Sequence, residues 1–247
     1  MIEMICRYVS TEMFAGTLKD LVLGGYTGPM IGDRRTVLRQ ITSGLEHLHK
    51  KGIVHRDLKP SNVAISFPDG TVGPMMKLAN FGIIHRPKRS FSHSVSDDSS
   101  NSKPIILWKV GGSTKGWMAP EIYSSEEYSC TMDIFTLGCI FGFTFAGVHP
   151  FGSDKDERIV RIKKSNPMTL TIDDLQNAPN PTQLFQLISS MVNADSSLRP
   201  SASDVLQSTF FRRLVSTSRE FHLKMIQQSG SNCVTLFTIL ILMILYH

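Results

Sequence analysis

"HRDLKPSN", residues 55–62, is the stretch on which the reading of this 247-residue chain turns. Three of its side chains form a set with one chemical sense. Transfer of a phosphoryl group needs little covalent help from a protein. It needs a carboxylate to orient the attacking hydroxyl, positive charge against the phosphates, and oxygen ligands for the accompanying cation. Asp57 can accept the hydroxyl proton, and Lys59, two residues on, can reach the transferred phosphate. Asn62, five residues after Asp57, can offer a carbonyl oxygen to Mg²⁺. A lone aspartate reads as a surface charge; the full eight-residue string at this spacing reads as a catalytic loop.

The composition supports a folded domain around that loop. Hydrophobic residues make up 41% of the chain and charged residues 19%, enough for a core and too ordinary for wholesale disorder. The net charge of +5 suits phosphate ligands or an anionic surface, but it is too weak a signal for nucleic-acid binding. Cys6, Cys130, Cys139 and Cys233 show neither a C-x-x-C pair nor a metal-ligand spacing, which fits reduced thiols in a cytosolic setting. No signal-peptide pattern opens the chain. Near the other end, residues 233–246 are almost wholly apolar but shorter than the ~20 residues of a spanning helix. A tail anchor, a buried end, an aggregation-prone end and a misread exon are all open readings of that tail.

Periodicity places the loop among helices. Residues 33–51 carry Val37, Leu38, Ile41, Leu45 and Leu48 on one helical face, with Gly52 as the stop. The loop itself reads as short strand, polar loop, short strand over residues 53–66. Residues 8–14 have strand-like composition, and 67–74 form a turn-rich connector. Residues 133–148, "DIFTLGCIFGFTFAGV", are apolar on nearly every side; their length and opening aspartate favour a buried central helix over a membrane span. Further helices are expected over 181–193 and from Ser201, a good N-cap. Strand signals are confined to the first third, so the expected fold is mainly α (α+β). Residues 86–103 carry seven serines among Arg86, Lys88 and Arg89 and read as a loop, regulatory if phosphorylated.

Other landmarks follow in order: "MAPE" at 118–121, Asp133, and Arg199. With the catalytic string, they identify a resemblance to the protein kinase family, of the serine/threonine type because Lys59 follows Asp57 by two. The resemblance implies structural roles for three of them. Asp133 braces the catalytic loop, and Arg199 pairs with Glu121. A narrower resemblance lies in "TSGLEHLHKKGIVHRDLKPSNVAIS", "GWMAPE", "MDIFTLGCIF", "HPFG" at 149–152 and "RPSASDVL" at 199–206. These stretches look like the ER stress sensor kinase/endoribonucleases, with ribonuclease L as a relative, over about residues 11–211. That family binds nucleotide, phosphorylates itself in trans, dimerises and carries an RNA-cutting domain.

The resemblance implies a kinase-like C-lobe with most of the N-lobe missing. Residues 1–14 match the last N-lobe strand and hinge, 15–213 the C-lobe, 80–121 the activation segment and 214–247 a truncated tail. It implies Asp57, Lys59 and Asn62 as catalytic residues. Glu12, Phe14, Lys59, Asn62 and Asn80 would bind ATP, with Asn62 and Asn80 as Mg²⁺ ligands. Where the family carries the metal-holding aspartate of Asp-Phe-Gly, this chain reads Asn80-Phe81-Gly82. The amide is isosteric but uncharged and holds a hard cation less well. Arg56, beside Asp57, resembles the arginine that meets a phosphorylated activation loop. The expected partners are ATP, a protein substrate or a second copy, and a homodimer. A membrane contact through the tail is a further expectation. The expected setting is the cytoplasm at the face of the ER membrane. RNA cleavage and direct nucleic-acid binding are not expected. With Asn80 in place of the aspartate and most of the N-lobe missing, these residues alone are expected to be weakly active or inactive, and the competing expectation is a pseudokinase or partner-binding module without catalysis.

Overall fold

In the computed structural model the described residues are 13–68, 73–79, 115–124 and 129–212. By internal contacts the chain forms two units, 1–206 and 207–247. All of the elements that position the site fall in the first.

A three-stranded antiparallel sheet, β1 (Gly16–Thr17), β2 (Val63–Ser66) and β3 (Met75–Leu78), has the order β1-β2-β3. Gly16 faces Ile65 across one pairing, and Val63 faces Leu78 across the other. Every residue of β2 is buried, as expected of a short, apolar central strand. The Ala15 N–H adds a bond to the Ile65 carbonyl at 2.8 Å, so the chain leaving Phe14 runs beside the strand that leaves Asn62.

Helix α1 (Leu18–Leu23) follows β1 directly. Thr17 caps it: Asp20 N–H donates to Thr17 Oγ1, and Asp20 Oδ2 accepts from the Thr17 N–H at 2.9 Å, a reciprocal capping box. Helix α2 (Arg34–Lys50) buries Val37, Leu38, Ile41 and Leu45, the face that its periodicity predicts. Gln40 ties it to β3. Its Nε2 donates to the Pro74 carbonyl at 3.3 Å, and its Oε1 accepts from the Met76 N–H at 2.7 Å.

Helix α3 (Cys130–Ala146) is the centre of the core. Fourteen consecutive residues, from Met132 to Phe145, are buried, which explains why apolar positions surround the whole helix. It starts three residues before Asp133, with Ser129 at the N-cap. Gly138 admits a close approach of Met191 and Val192: a Cβ there would meet Met191 Cβ at 2.8 Å and Val192 Cγ1 at 2.9 Å. Cys139 is fully buried, and burial pushes its thiol well above the ordinary range, so it acts as core.

Helices α4 (Lys155–Lys163), α5 (Pro181–Met191) and α6 (Ala202–Gln207) follow. Ser201 caps α6: its Oγ accepts from the Asp204 N–H at 3.2 Å, while Asp204 Oδ2 takes the Ser201 N–H at 3.0 Å. Short helices α1 and α4 are departures from the periodicity reading. Neither has the two full turns of apolar spacing that would announce it; both are set by their caps, Thr17 and Asp154. Residues 53–54 form no strand, correcting that expectation. Ile53 donates instead to the Leu48 carbonyl at 3.0 Å, which closes the end of α2. Among the described residues no helix is long and apolar enough to cross a membrane. The apolar tail at 233–246, residues 8–12 of the strand-like stretch 8–14 and the serine-rich loop lie outside the described residues, and Met13 and Phe14 form no strand.

Candidate active site

The loop of residues 55–62 runs between the end of α2 and the start of β2, and its backbone is held by one buried carboxylate. Asp133 is 1% exposed. Its Oδ2 accepts from the His55 N–H at 2.7 Å, and its Oδ1 accepts from the Arg56 N–H at 3.0 Å. His49 Nε2, from the last turn of α2, lies 3.0 Å from the same Oδ2. These bonds hold Arg56 at φ +70°, a left-handed conformation that costs a non-glycine residue about 1–2 kcal/mol. That kink turns the next residue, Asp57, out of the core.

Asp57, Lys59 and Asn62 converge. Lys59 Nζ donates to Asp57 Oδ2 at 2.8 Å, with both side chains about one-fifth exposed. Asn62 Nδ2 donates to the same oxygen at 2.9 Å and to the Asp57 carbonyl at 2.7 Å. Asn62 is itself buried at the end of a single 3₁₀ turn, Pro60–Asn62. Its NH₂ is engaged in this way, and its side-chain carbonyl is the kind of oxygen that could hold a metal ion. The Ala79 N–H donates to the Asn62 backbone carbonyl at 2.8 Å, tying the loop to the residue that precedes Asn80. Phe14 is exposed, just ahead of β1. Glu12 and Asn80 lie outside the described residues, so the nucleotide set expected from the sequence is placed only at Phe14, Lys59 and Asn62.

The segment carrying Pro120 is clamped independently. Arg199 Nη1 and Nη2 donate to Glu121 Oε1 and Oε2 at 2.6 and 2.8 Å, a bidentate pair. The same guanidinium donates to the carbonyls of Thr131 and Asn193, at 3.1 and 2.7 Å, and stacks 5.1 Å from the Phe135 ring centroid. Thr136 Oγ1 donates to the Trp117 carbonyl at 2.8 Å, joining that segment to α3.

Two histidines are kept neutral by their surroundings. Burial lowers the His55 pKa, against the opposing pull of Asp133 and Asp57. Burial, then the Arg158 charge, holds His149 well below its ordinary value. His149 Nδ1 accepts from the Phe151 N–H at 3.1 Å, and its ring meets Trp117 edge-on at 4.5 Å. Groups that resist protonation when folded but accept it when unfolded destabilise the fold below the unfolded pKa of about 6.5. Stability is therefore expected to fall from pH 7 to pH 5.5. His149→Asn keeps an acceptor for Phe151 but removes one titration, and should flatten the slope by up to about 1.4 kcal/mol per pH unit. Urea melts at the two pH values check this; an unchanged slope refutes it.

His49 is the site residue that the sequence reading passed over. Its signal is its spacing: four residues after buried Leu45, it falls on the core face of α2, where a polar side chain needs a buried partner.

This arrangement has relatives. The protein kinase domain family matches residues 4–211. The serine/threonine-protein kinase/endoribonuclease IRE1a of Arabidopsis thaliana is 36% identical over 190 residues, covering 76% of this chain and 20% of that protein. The corresponding ire-1 of Caenorhabditis elegans is 33% identical over 209 residues, 83% of this chain and 20% of its own length. The MAP kinase kinase kinase mkh1 of Schizosaccharomyces pombe is 31% identical over 184 residues, 72% of this chain and 15% of that protein. The chain thus spans about one-fifth of the length of the first of these relatives. An aspartate, lysine and asparagine converging on a loop braced by a buried carboxylate, and a match along most of the sequence, lead to one conclusion: the chain belongs to the protein kinase family.

Proposed function

We propose that this chain is a serine/threonine protein kinase domain of the ER stress sensor type, acting in the unfolded protein response, with ATP as phosphoryl donor and a protein, or a second copy of itself, as acceptor. The observation that carries the proposal is the convergence of Lys59 and Asn62 on Asp57 Oδ2, at 2.8 and 2.9 Å. In this reading Asp57 orients the attacking hydroxyl and takes its proton. Lys59, already beside it, offsets the charge of the transferred phosphoryl group, and Asn62 fixes the Asp57 carboxylate. Residues 15–213 would be the C-lobe, with Phe14 and Glu12 near the nucleotide and 80–121 as activation segment. The relatives' type supports the unfolded protein response as the setting and the cytoplasmic face of the ER as the location. A homodimer and a tail-mediated membrane contact belong to the same proposal.

The donor set is a poor match to Mg²⁺. Asn62 and Asn80 both offer neutral amide oxygens, and Oδ2 of Asp57 is engaged by Lys59 and Asn62. A small, hard dication prefers anionic oxygen. No step here is routed through the metal, and turnover is expected to be slow. That same neutral amide at position 80 favours the second reading, a partner-binding pseudokinase. Phosphate incorporation from radiolabelled ATP into the full chain separates the two. The proposal expects slow incorporation that drops by roughly 10² or more in Asp57→Asn, the scale of a lost general base. Equal incorporation in both proteins, or none in either, overturns it.

A further inference from the structure

Two cavities lie side by side on the first unit, and neither contains Asp57, Lys59 or Asn62. The first, about 330 Å³, is lined by Phe135, Phe151, Met168, Phe185 and Val192. The second, about 400 Å³, is lined by Tyr123, Ser124, Lys163 and Ser165, with Glu121. Pro120, Ser165 and Ala194 belong to both walls, so the two form one continuous groove with an apolar end and a polar end.

The polar end is built for one negative charge. Lys163 ends α4 with its Nζ 4.9 Å from the Tyr123 ring centroid, and no carboxylate lies within ion-pair distance of it among the described residues. Burial pushes the Tyr123 phenol upward, so it keeps its proton and remains a donor. Ser165 adds an exposed hydroxyl, and the exposed Ser124 hydroxyl donates to the Glu121 carbonyl at 3.0 Å. Ser165, at φ +52°, holds the turn after α4 that forms the seam between the two ends. Glu121 does not supply the counter-charge for Lys163, because both of its oxygens are engaged by Arg199 at 2.6 and 2.8 Å.

We infer that this groove is a docking site for an acidic, aromatic-bearing linear segment of a partner protein. An apolar side chain fills the end between Phe135 and Phe185, and a neighbouring aspartate or glutamate meets Lys163. A carboxylate suits the site better than a phosphate. A single ammonium lacks the fork that grips a phosphate. The inference does not depend on phosphoryl transfer, since none of these residues touches the Asp57 cluster.

The test is fluorescence anisotropy of the full chain with labelled peptides carrying Glu-Glu-Phe-Leu-Glu-Glu, Gln-Gln-Phe-Leu-Gln-Gln or Glu-Glu-Ser-Ser-Glu-Glu. The acidic phenylalanine peptide should bind saturably, and each counterpart should bind about tenfold more weakly or worse. Lys163→Glu should weaken binding about tenfold and Lys163→Gln by less, whereas Lys155→Glu, the same charge change at the exposed start of α4, should leave it within about twofold. All three lysine changes are at exposed positions, and thermal melts check that the variants fold. Equal effects of Lys163→Glu and Lys155→Glu would reduce the site to non-specific attraction and overturn the inference. So would saturable binding of the glutamine peptide with undiminished affinity, failure of the acidic phenylalanine peptide to bind, or tighter binding of a phosphoserine version.

Discussion

Replacing Asp133 with alanine is expected to lower the melting temperature by roughly 6–20 °C, corresponding to about 3–5 kcal/mol in a domain of this size. The reason is accounting of hydrogen bonds rather than charge alone. The wild-type carboxylate satisfies two backbone N–H groups, of His55 and Arg56, and meets His49 Nε2. Asp133 sits at 1% exposure and His55 at 0%, so water does not readily replace the lost acceptor. Each donor left unsatisfied costs about 1–3 kcal/mol. Arg56 also loses the bond that holds it in the left-handed region, and relaxation of that kink would carry Asp57 away from Lys59 and Asn62. Asp133→Asn is expected to fall between the two, because its amide keeps one acceptor and turns a donor toward donors. Thermal melts of the three proteins measure this; a shift under about 2 °C for the alanine variant would show that the loop is braced by something else.

Restoring a carboxylate at position 80 is expected to have the largest effect on rate. Asn80→Asp is isosteric, so it changes charge with little change in shape. A unit charge pair at ~4 Å, with an effective dielectric constant near 20, is worth about 4 kcal/mol, and a dication gains more. Discounted for desolvation, that corresponds to roughly 10²- to 10⁴-fold in phosphoryl transfer. The Mg²⁺ concentration that gives half-maximal rate should fall as well. Initial rates of phosphate incorporation across a Mg²⁺ series check both. Equal rates with either residue would mean that the amide already holds the metal, and the account of slow turnover would be wrong.

Much of the site was readable because it is local in sequence. Asp57, Lys59 and Asn62 lie within six residues, and a short loop closed by the Pro60–Asn62 turn can bring them together in few ways. The buried helix α3 was readable because an apolar run of that length with a single acidic residue has no other stable place in a folded domain. The long-range pairs Asp133 with the loop backbone and Arg199 with Glu121 were legible only through family resemblance. They span 78 residues each, and no spacing rule joins groups so far apart. His49 was missed because a histidine on a helix face gives no sign of its partner until α3 is placed against it. Helices α1 and α4 escaped because capping, not periodicity, defines them. The docking groove was invisible for a similar reason: Tyr123, Lys163 and Val192 come from three separate segments.

Whether Asp57 carries the chemistry is decided by placing Asp57→Asn in the Asn80→Asp background and following phosphate incorporation from ATP into the full chain. Asn80→Asp should raise the rate, and adding Asp57→Asn should remove the gain, by a factor of about 10² or more. A gained rate that survives loss of the Asp57 carboxylate would place the chemistry elsewhere. No gain in Asn80→Asp would contradict the account equally, and would leave a kinase fold that works by binding alone.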